Sequence, residues 1–203
     1  MIKNYLKTLL FAAFLIVASI LKADPYSLEN ISYYLQNLKI LKADFSQTNP
    51  DDTISSGKIF IKRPGRMRFE YYKPEKTLVL ISAGALAIFD PNGDEEPVTY
   101  PIKNNPISLI LKGEVDLLNS GIVGNYKVSA EKGVLTIRDP KNPELGSVEL
   151  IFKGAKPELE KFTIKNENSS STSILLKDIE YPKKINDTLF SIPLETNKRR
   201  LKN

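Results

Sequence analysis

The 203-residue chain contains no cysteine and no histidine. Without cysteine it forms no disulfide, so its stability rests on packing, and lipid attachment through an N-terminal cysteine is excluded. Without histidine it lacks the side chain most used for acid–base chemistry near neutral pH and for zinc. Ser-His-Asp catalysis, Cys-His catalysis and a histidine metal site are therefore excluded. No Walker loop, G-x-S-x-G elbow or G-x-G-x-x-G motif occurs. Neither a cofactor nor a metal is expected. An enzyme would have to depend on carboxylates such as Asp90, Asp94 and Glu95. Their stretch, "DPNGDEE", has Glu95 where a calcium loop needs glycine and Pro101 where it needs a closing glutamate. It reads instead as a solvated hairpin turn bent at Asn92-Gly93. The chain is expected not to be an enzyme.

What is present begins with a leader. Lys3 and Lys7 precede an apolar run from Leu9 to Leu21, broken only by Ser19, and "LKADP" then offers a small residue before Asp24. This is the layout of a secretory signal peptide, residues 1–23, cleaved after Ala23 or alternatively after Ser19. An uncleaved membrane anchor is the other reading, although a spanning helix needs about 20 apolar residues. Residues 24–203 remain as one domain. Removing Lys3, Lys7 and Lys22 lowers the formal charge from +5 to +2. A nearly balanced chain without a dense basic stripe gives no support for nucleic-acid binding. The basic ending "NKRRLKN" reads as a solvated, mobile tail, or alternatively as a contact with anionic lipid or an acidic partner. The sequons at Asn168 and Asn186 matter only in a host that glycosylates them.

Leu28, Ile31, Leu35 and Leu38 recur at three- and four-residue intervals behind Ser27, which predicts an amphipathic helix over 27–39. Strands are predicted near 41–48, 57–63, 67–73, 77–82, 85–90, 96–100, 125–130, 134–138, 147–152, 160–166, 172–179 and 188–192. In "NNPISLILKGEVDLLN", Pro106 suits a first helical turn, and Ile107, Leu109, Ile110 and Leu111 follow without alternation, so a short helix is expected there. The run "NENSSSTS" is a loop between strands. Short turns without long crossovers imply an antiparallel sheet, and many such strands imply a barrel or a sandwich.

One hairpin frames the functional question. In "GKIFIKRPGRMRFEYYKP", Ile59 and Ile61 share a face, and the next residue in step is Arg63. Met67, Phe69 and Tyr71 share the apolar face of the second strand. Opposing Ile61 to Phe69 and Ile59 to Tyr71 matches the two sets, with Arg63 opposite Met67 and a loop of Pro64, Gly65 and Arg66. Arg63 then stands at the edge of an apolar face. It either snorkels outward or points inward, where it needs acceptors such as the carbonyls of a helix C-terminus. The next hairpin, "LVLI" at 78–81 and "LAIF" at 86–89, is apolar on both faces. It fits either a filled core or a concave apolar face closed by the two helices.

These residues resemble the periplasmic outer-membrane lipoprotein carrier proteins of Gram-negative bacteria, the Lol carriers. The resemblance runs over nearly the whole chain after the leader: "KADFSQ", "SGKIFIKRPGRMRFEY", "LVLISAGALAIFDP", "NPISLIL" and "LFSIP". The segment from Gly57 to Pro91 is its specific part. The resemblance implies a mainly β fold, an incomplete, curved antiparallel β-barrel (a half-barrel) with a lid of short α-helices over an apolar cavity. It implies that the cavity takes lipoprotein acyl chains, lined by Ile59, Ile61, Met67, Phe69, Tyr71, Leu78, Leu80, Leu86 and Ile88. The lid would comprise Leu28, Ile31, Leu35, Ile107, Ile110 and Leu111. Arg63 would be a latch, donating to backbone carbonyls of Leu35, Ile110 and Leu111. The implied role is a periplasmic chaperone that carries lipoproteins from the inner to the outer membrane as a monomer. An inner-membrane ATP-driven transporter would load it, and an outer-membrane receptor or the membrane itself would unload it. A periplasmic domain that senses lipid or lipoprotein and signals to a membrane partner is the alternative. Met67, where the family often has a bulky aromatic, and the Ala83-Gly84 turn, where it often has Asp-Gly, depart from the pattern.

Overall fold

Alternating burial along successive short segments produces a single sheet. The computed structural model describes residues 24–93, 96–166, 168 and 170–201; the apolar leader and the choice of its cleavage point lie outside them. The strands are β1 (Ile40–Thr48), β2 (Ile54–Lys62), β3 (Arg66–Tyr71), β4 (Leu78–Ser82), β5 (Ala85–Phe89), β6 (Val98–Pro101), β7 (Val123–Val128), β8 (Gly133–Ile137), β9 (Ser147–Lys153), β10 (Glu158–Lys165) and β11 (Ser171–Glu180). All pairings are antiparallel. Their order, β6-β5-β4-β3-β2-β1-β11-β10-β9-β8-β7, puts β6 and β7 at opposite edges. The sheet is therefore an open, curved half-barrel and not a closed barrel or a sandwich.

Among the described residues, three α-helices accompany it: α1 (Leu28–Asn37), α2 (Ser108–Leu111) and α3 (Ile192–Arg200). The Ser27 hydroxyl caps α1 by accepting from the Asn30 N–H at 3.2 Å. Ile31 and Leu35 turn inward from α1, and Ile107, Leu109, Ile110 and Leu111 are buried around α2. They join one core with the inward residues of the sheet, among them Leu41, Ile59, Ile61, Met67, Leu150 and Phe162. Both helices thus lie against the concave face. Among the described residues, no helix is long and apolar enough to cross a membrane.

The β2–β3 register differs from the sequence reading. Ile61 pairs with Met67, Ile59 with Phe69 and Gly57 with Tyr71. The loop is Arg63-Pro64-Gly65, so Arg63 is a turn residue and has no strand partner. A two-residue shift preserves the faces, because side chains alternate with period two; hydrophobic matching alone could not separate the two registers. Turn geometry separates them. Gly65 sits at φ +72°, the left-handed position that a three-residue hairpin loop requires. Across the same hairpin, a Cβ on Gly57 would stand 2.2 Å from the Glu70 carbonyl oxygen and 2.8 Å from the Phe45 ring. Only glycine fits there.

The end of the chain also departs from expectation. Residues 187–190 form a 3₁₀ turn and not a strand, and the basic segment continues as α3 instead of trailing free. Ser191 caps α3 by accepting from the Leu194 N–H at 3.3 Å. Ile192 packs on a second apolar cluster formed by Leu78, Leu80, Ala87 and Phe89. Arg199 lies 4.8 Å from the centroid of the Phe89 ring, and its guanidinium and that of Arg68 flank Glu195 at 3.5 and 3.7 Å. The charges that suggested a solvated tail instead hold a helix against the convex face.

Candidate functional site

Arg63 resolves the question its position raised. Its side chain is only 6% exposed and points inward. Nε donates to the Lys112 carbonyl at 2.9 Å. Nη1 donates to the carbonyls of Leu35 and, at 3.3 Å, Leu38. Nη2 donates to the carbonyls of Lys112 and, at 3.4 Å, Gly113. One guanidinium therefore joins the C-terminal end of α1 to the exit of α2, where unsatisfied carbonyls and partial negative charge collect. Of the acceptors expected, Leu35 is used; Lys112 and Gly113 replace Ile110 and Leu111. The reason is the turn register, which lifts Arg63 beyond α2 toward the segment that follows it. Leu111 contributes differently, its carbonyl accepting the Gly65 N–H at 2.8 Å. Burial lowers the pKa of the guanidinium from its ordinary value.

At the other end of the concave face from this bridge, where β1, β3 and β11 carry Gln47, Tyr71 and Thr172, lies a cavity of about 300 Å³. Phe69, Tyr71, Val79, Ile81, Leu86 and Ile107 form one wall, and Ile164, Thr172 and Ile174 belong to the other. Ile59, Ile61 and Met67 lie on the same sheet face but are fully packed beneath the helices. Ile88 pairs with Val79 and so shares that face. Leu28 packs against the core from α1, and Ile31, Leu35, Ile110 and Leu111 are buried between helices and sheet.

Leu78 and Leu80 do not join them. They pair with Glu70 and Arg68, on the convex face, and pack beneath α3. Expecting them in the cavity was wrong because "LVLI" is apolar throughout and carries no alternation to show which face is inward. Val79 and Ile81 take that place. The sequence reading also missed the polar part of the lining. The Tyr71 hydroxyl donates to Gln47 Oε1 at 2.7 Å, and burial pushes the Tyr71 pKa up to about 12. Asn105, Asn166, Ser170 and Thr172 complete the lining.

A second depression, about 680 Å³, lies at the opposite end of β1, β10 and β11, between the outer face of α1 and Tyr181-Pro182-Lys183. There the hydroxyls of Tyr34 and Tyr181 are 3.0 Å apart, and Tyr181 donates to Glu158 at 2.8 Å. Burial and this tyrosine pair raise the pKa of Tyr181. Among the described residues, no cluster of carboxylates could hold a metal ion.

Residues 36–193 match the family model described as "Outer membrane lipoprotein carrier protein LolA". An outer-membrane lipoprotein carrier protein of Coxiella burnetii is 24% identical over 182 residues, covering 86% of each chain. Another, from Methylococcus capsulatus, is 27% identical over 143 residues and 66% of each chain. A third, from Dechloromonas aromatica, is 34% identical over 107 residues, 48% of this chain and 50% of the relative. Among solved structures, a LolA superfamily protein from Nitrosomonas europaea is 10% identical, with a TM-score of 0.42 over 80% of this chain and 96% of the other.

Proposed function

Because the chain belongs to the LolA family of outer membrane lipoprotein carrier proteins, we propose that it binds lipoprotein acyl chains on its concave apolar face and carries them from the inner to the outer membrane. Export of residues 24–203 to the periplasm, after removal of the leader, belongs to this reading. So do loading by an inner-membrane ATP-driven transporter, unloading to an outer-membrane receptor or the membrane, and action as a monomer. The cycle consists of binding and release without covalent chemistry.

The observation that carries the proposal is the inward guanidinium of Arg63, which ties α1 and the exit of α2 together over an apolar face. The open cavity, about 300 Å³, lies at the low end of the roughly 300–1,000 Å³ typical of ligand sites. Long acyl chains therefore need room now filled by Ile31, Leu35, Ile107, Ile110 and Leu111 against Ile59, Ile61, Met67 and Phe69. Burying an acyl chain yields about 0.8 kcal/mol per CH₂, so partial burial supplies on the order of 5–10 kcal/mol toward opening the lid. The cargo shifts the lid only by its differential affinity for the open state, and a stable closed state weakens net binding. Weakened binding favours release.

Co-purification tests this reading. The protein isolated from periplasm should carry intact lipoprotein, and the stripped protein should take up a fluorescent fatty-acyl probe with a blue shift. A stripped protein that leaves the probe in an aqueous environment would contradict it.

A further inference from the structure

The depression of about 680 Å³ on the outer side of α1 shares no residue with the cavity of the concave face, and its chemistry is different. Its lining is aromatic and proline-rich, with Tyr33 and Tyr34 from α1, Pro157 from the β9–β10 turn and Tyr181-Pro182 beyond β11. Tyr33 is 71% exposed and Tyr181 47%, so the fold leaves large aromatic surfaces in water there. Three lysines from three separate elements complete the lining: Lys39 before β1, Lys156 between β9 and β10, and Lys183 beyond β11. Among the described residues none of the three forms an ion pair. Lys39 donates to the neutral Gln36 carbonyl at 2.9 Å. No lining residue is acidic, and the neighbouring carboxylate, Glu158, accepts from the Tyr181 hydroxyl at 2.8 Å.

A small free anion would use the lysines and leave the tyrosines and prolines wet. An acyl chain would use the apolar surface and leave three ammonium groups without a partner. An extended peptide that alternates carboxylates with proline and aliphatic side chains uses both. The groove also touches the latch. Leu38 and Lys39 belong to its lining, and their carbonyls accept from Arg63, Leu38 from Nη1 at 3.3 Å and Lys39 from the backbone N–H at 2.8 Å. Its two sides meet where the hydroxyls of Tyr34 and Tyr181 stand 3.0 Å apart. An occupant spanning α1 and the residues beyond β11 therefore makes its full contact only with α1 in the closed position. We propose that this groove docks an extended acidic peptide segment of a partner protein, and that docking stabilises the closed lid and so promotes release of cargo. The effect on cargo rests on the carrier reading; the docking itself does not. Linkage makes the effect reciprocal, so cargo weakens docking by the factor by which docking weakens cargo.

The probe is a fluorescein-labelled peptide of sequence Glu-Pro-Leu-Glu-Pro-Leu-Glu, followed by anisotropy on the lipid-stripped protein isolated from periplasm. It should bind saturably and more weakly as salt is raised, and the same peptide with lysine in place of glutamate should not bind. Lys156→Glu combined with Lys183→Glu should weaken docking at least about tenfold. Lys198→Glu, which alters an exposed lysine of α3 on the convex side, should leave it unchanged. Urea unfolding shows that each variant is folded. Saturating unlabelled peptide should weaken binding of a fluorescent fatty-acyl probe at least about fivefold. Absence of docking, equal docking of both peptides, undiminished docking in the double variant, or docking without effect on the acyl probe would each overturn the proposal. Binding of phosphatidylglycerol vesicles, lost in the double variant, without binding of the peptide would assign the lysines to a lipid surface and overturn it too. Failure of the acyl probe to bind in the absence of peptide overturns the carrier reading, whereas failure of the peptide alone overturns only this inference.

Discussion

Arg63 Nε stands 2.9 Å from the carbonyl oxygen of Lys112, and the same guanidinium reaches the Leu35 carbonyl on α1. Two segments 77 positions apart in sequence are thereby held by one side chain. Leucine in its place would preserve bulk but leave buried carbonyls without a donor. Arg63→Leu should lower stability by about 1–3 kcal/mol in urea unfolding, the usual penalty for a buried polar group left unpaired. With the closed state weakened, the variant should also retain lipoprotein more tightly and hand it over more slowly in a transfer assay. Unchanged retention and transfer would remove Arg63 from the mechanism.

The two faces of β4 and β5 should separate stability from binding. Leu80 is fully buried on the convex face, so Leu80→Ala should cost about 2–5 kcal/mol in urea unfolding. It should leave the affinity for an acyl probe unchanged once folded. Leu86 lines the cavity. Leu86→Trp should fill that space and reduce probe binding at least about tenfold, with a smaller effect on the unfolding midpoint.

Gly57 is fixed by its neighbours. Gly57→Ala drives a methyl into the Glu70 carbonyl and the Phe45 ring. The expected loss is at least the roughly 1–3 kcal/mol of an overpacked core, read as a lower denaturation midpoint.

Alkaline pH should act through Tyr71. Its pKa is raised by burial from 10.0 to about 12, so the folded state holds its proton where the unfolded chain releases it. The contribution to stability is complete below pH 10 and is lost as pH rises toward 12. Tyr71→Phe should flatten the fall in unfolding free energy across that interval, measured by urea titrations at fixed pH. A slope equal to wild type would contradict the assignment.

Much of this was legible in the sequence. The 3.6-residue spacing of Leu28, Ile31 and Leu35 gave α1, and period-two alternation gave most of the sheet, because each of those elements buries one face. The position of Arg63 at an apolar edge was visible for the same reason, but its inward direction was not, because a strand-end arginine that snorkels outward leaves the same pattern. Three features were hidden. Met67 and Phe69 offered two registers of equal parity, and only the Gly65 turn chose between them. The uninterrupted run Leu78–Ile81 is buried on both faces, so its inward side was set by β3 and not by its own pattern. The Ile192–Arg200 helix was masked by its charges, which are spent on Glu195, Glu96 and the Phe89 ring. The polar part of the lining was out of reach, since Gln47, Asn105 and Thr172 converge only in the folded sheet.

The central claim is that cargo opens a lid, and the cysteine-free chain allows it to be measured directly. Spin labels on Gln36→Cys, at the outer side of α1, and Lys177→Cys, on the exposed face of β11, report the distance between lid and sheet. Binding of an acylated lipoprotein should lengthen that distance, and Arg63→Leu should shift part of the population the same way without cargo. An unchanged distance distribution with lipoprotein demonstrably bound would contradict the account.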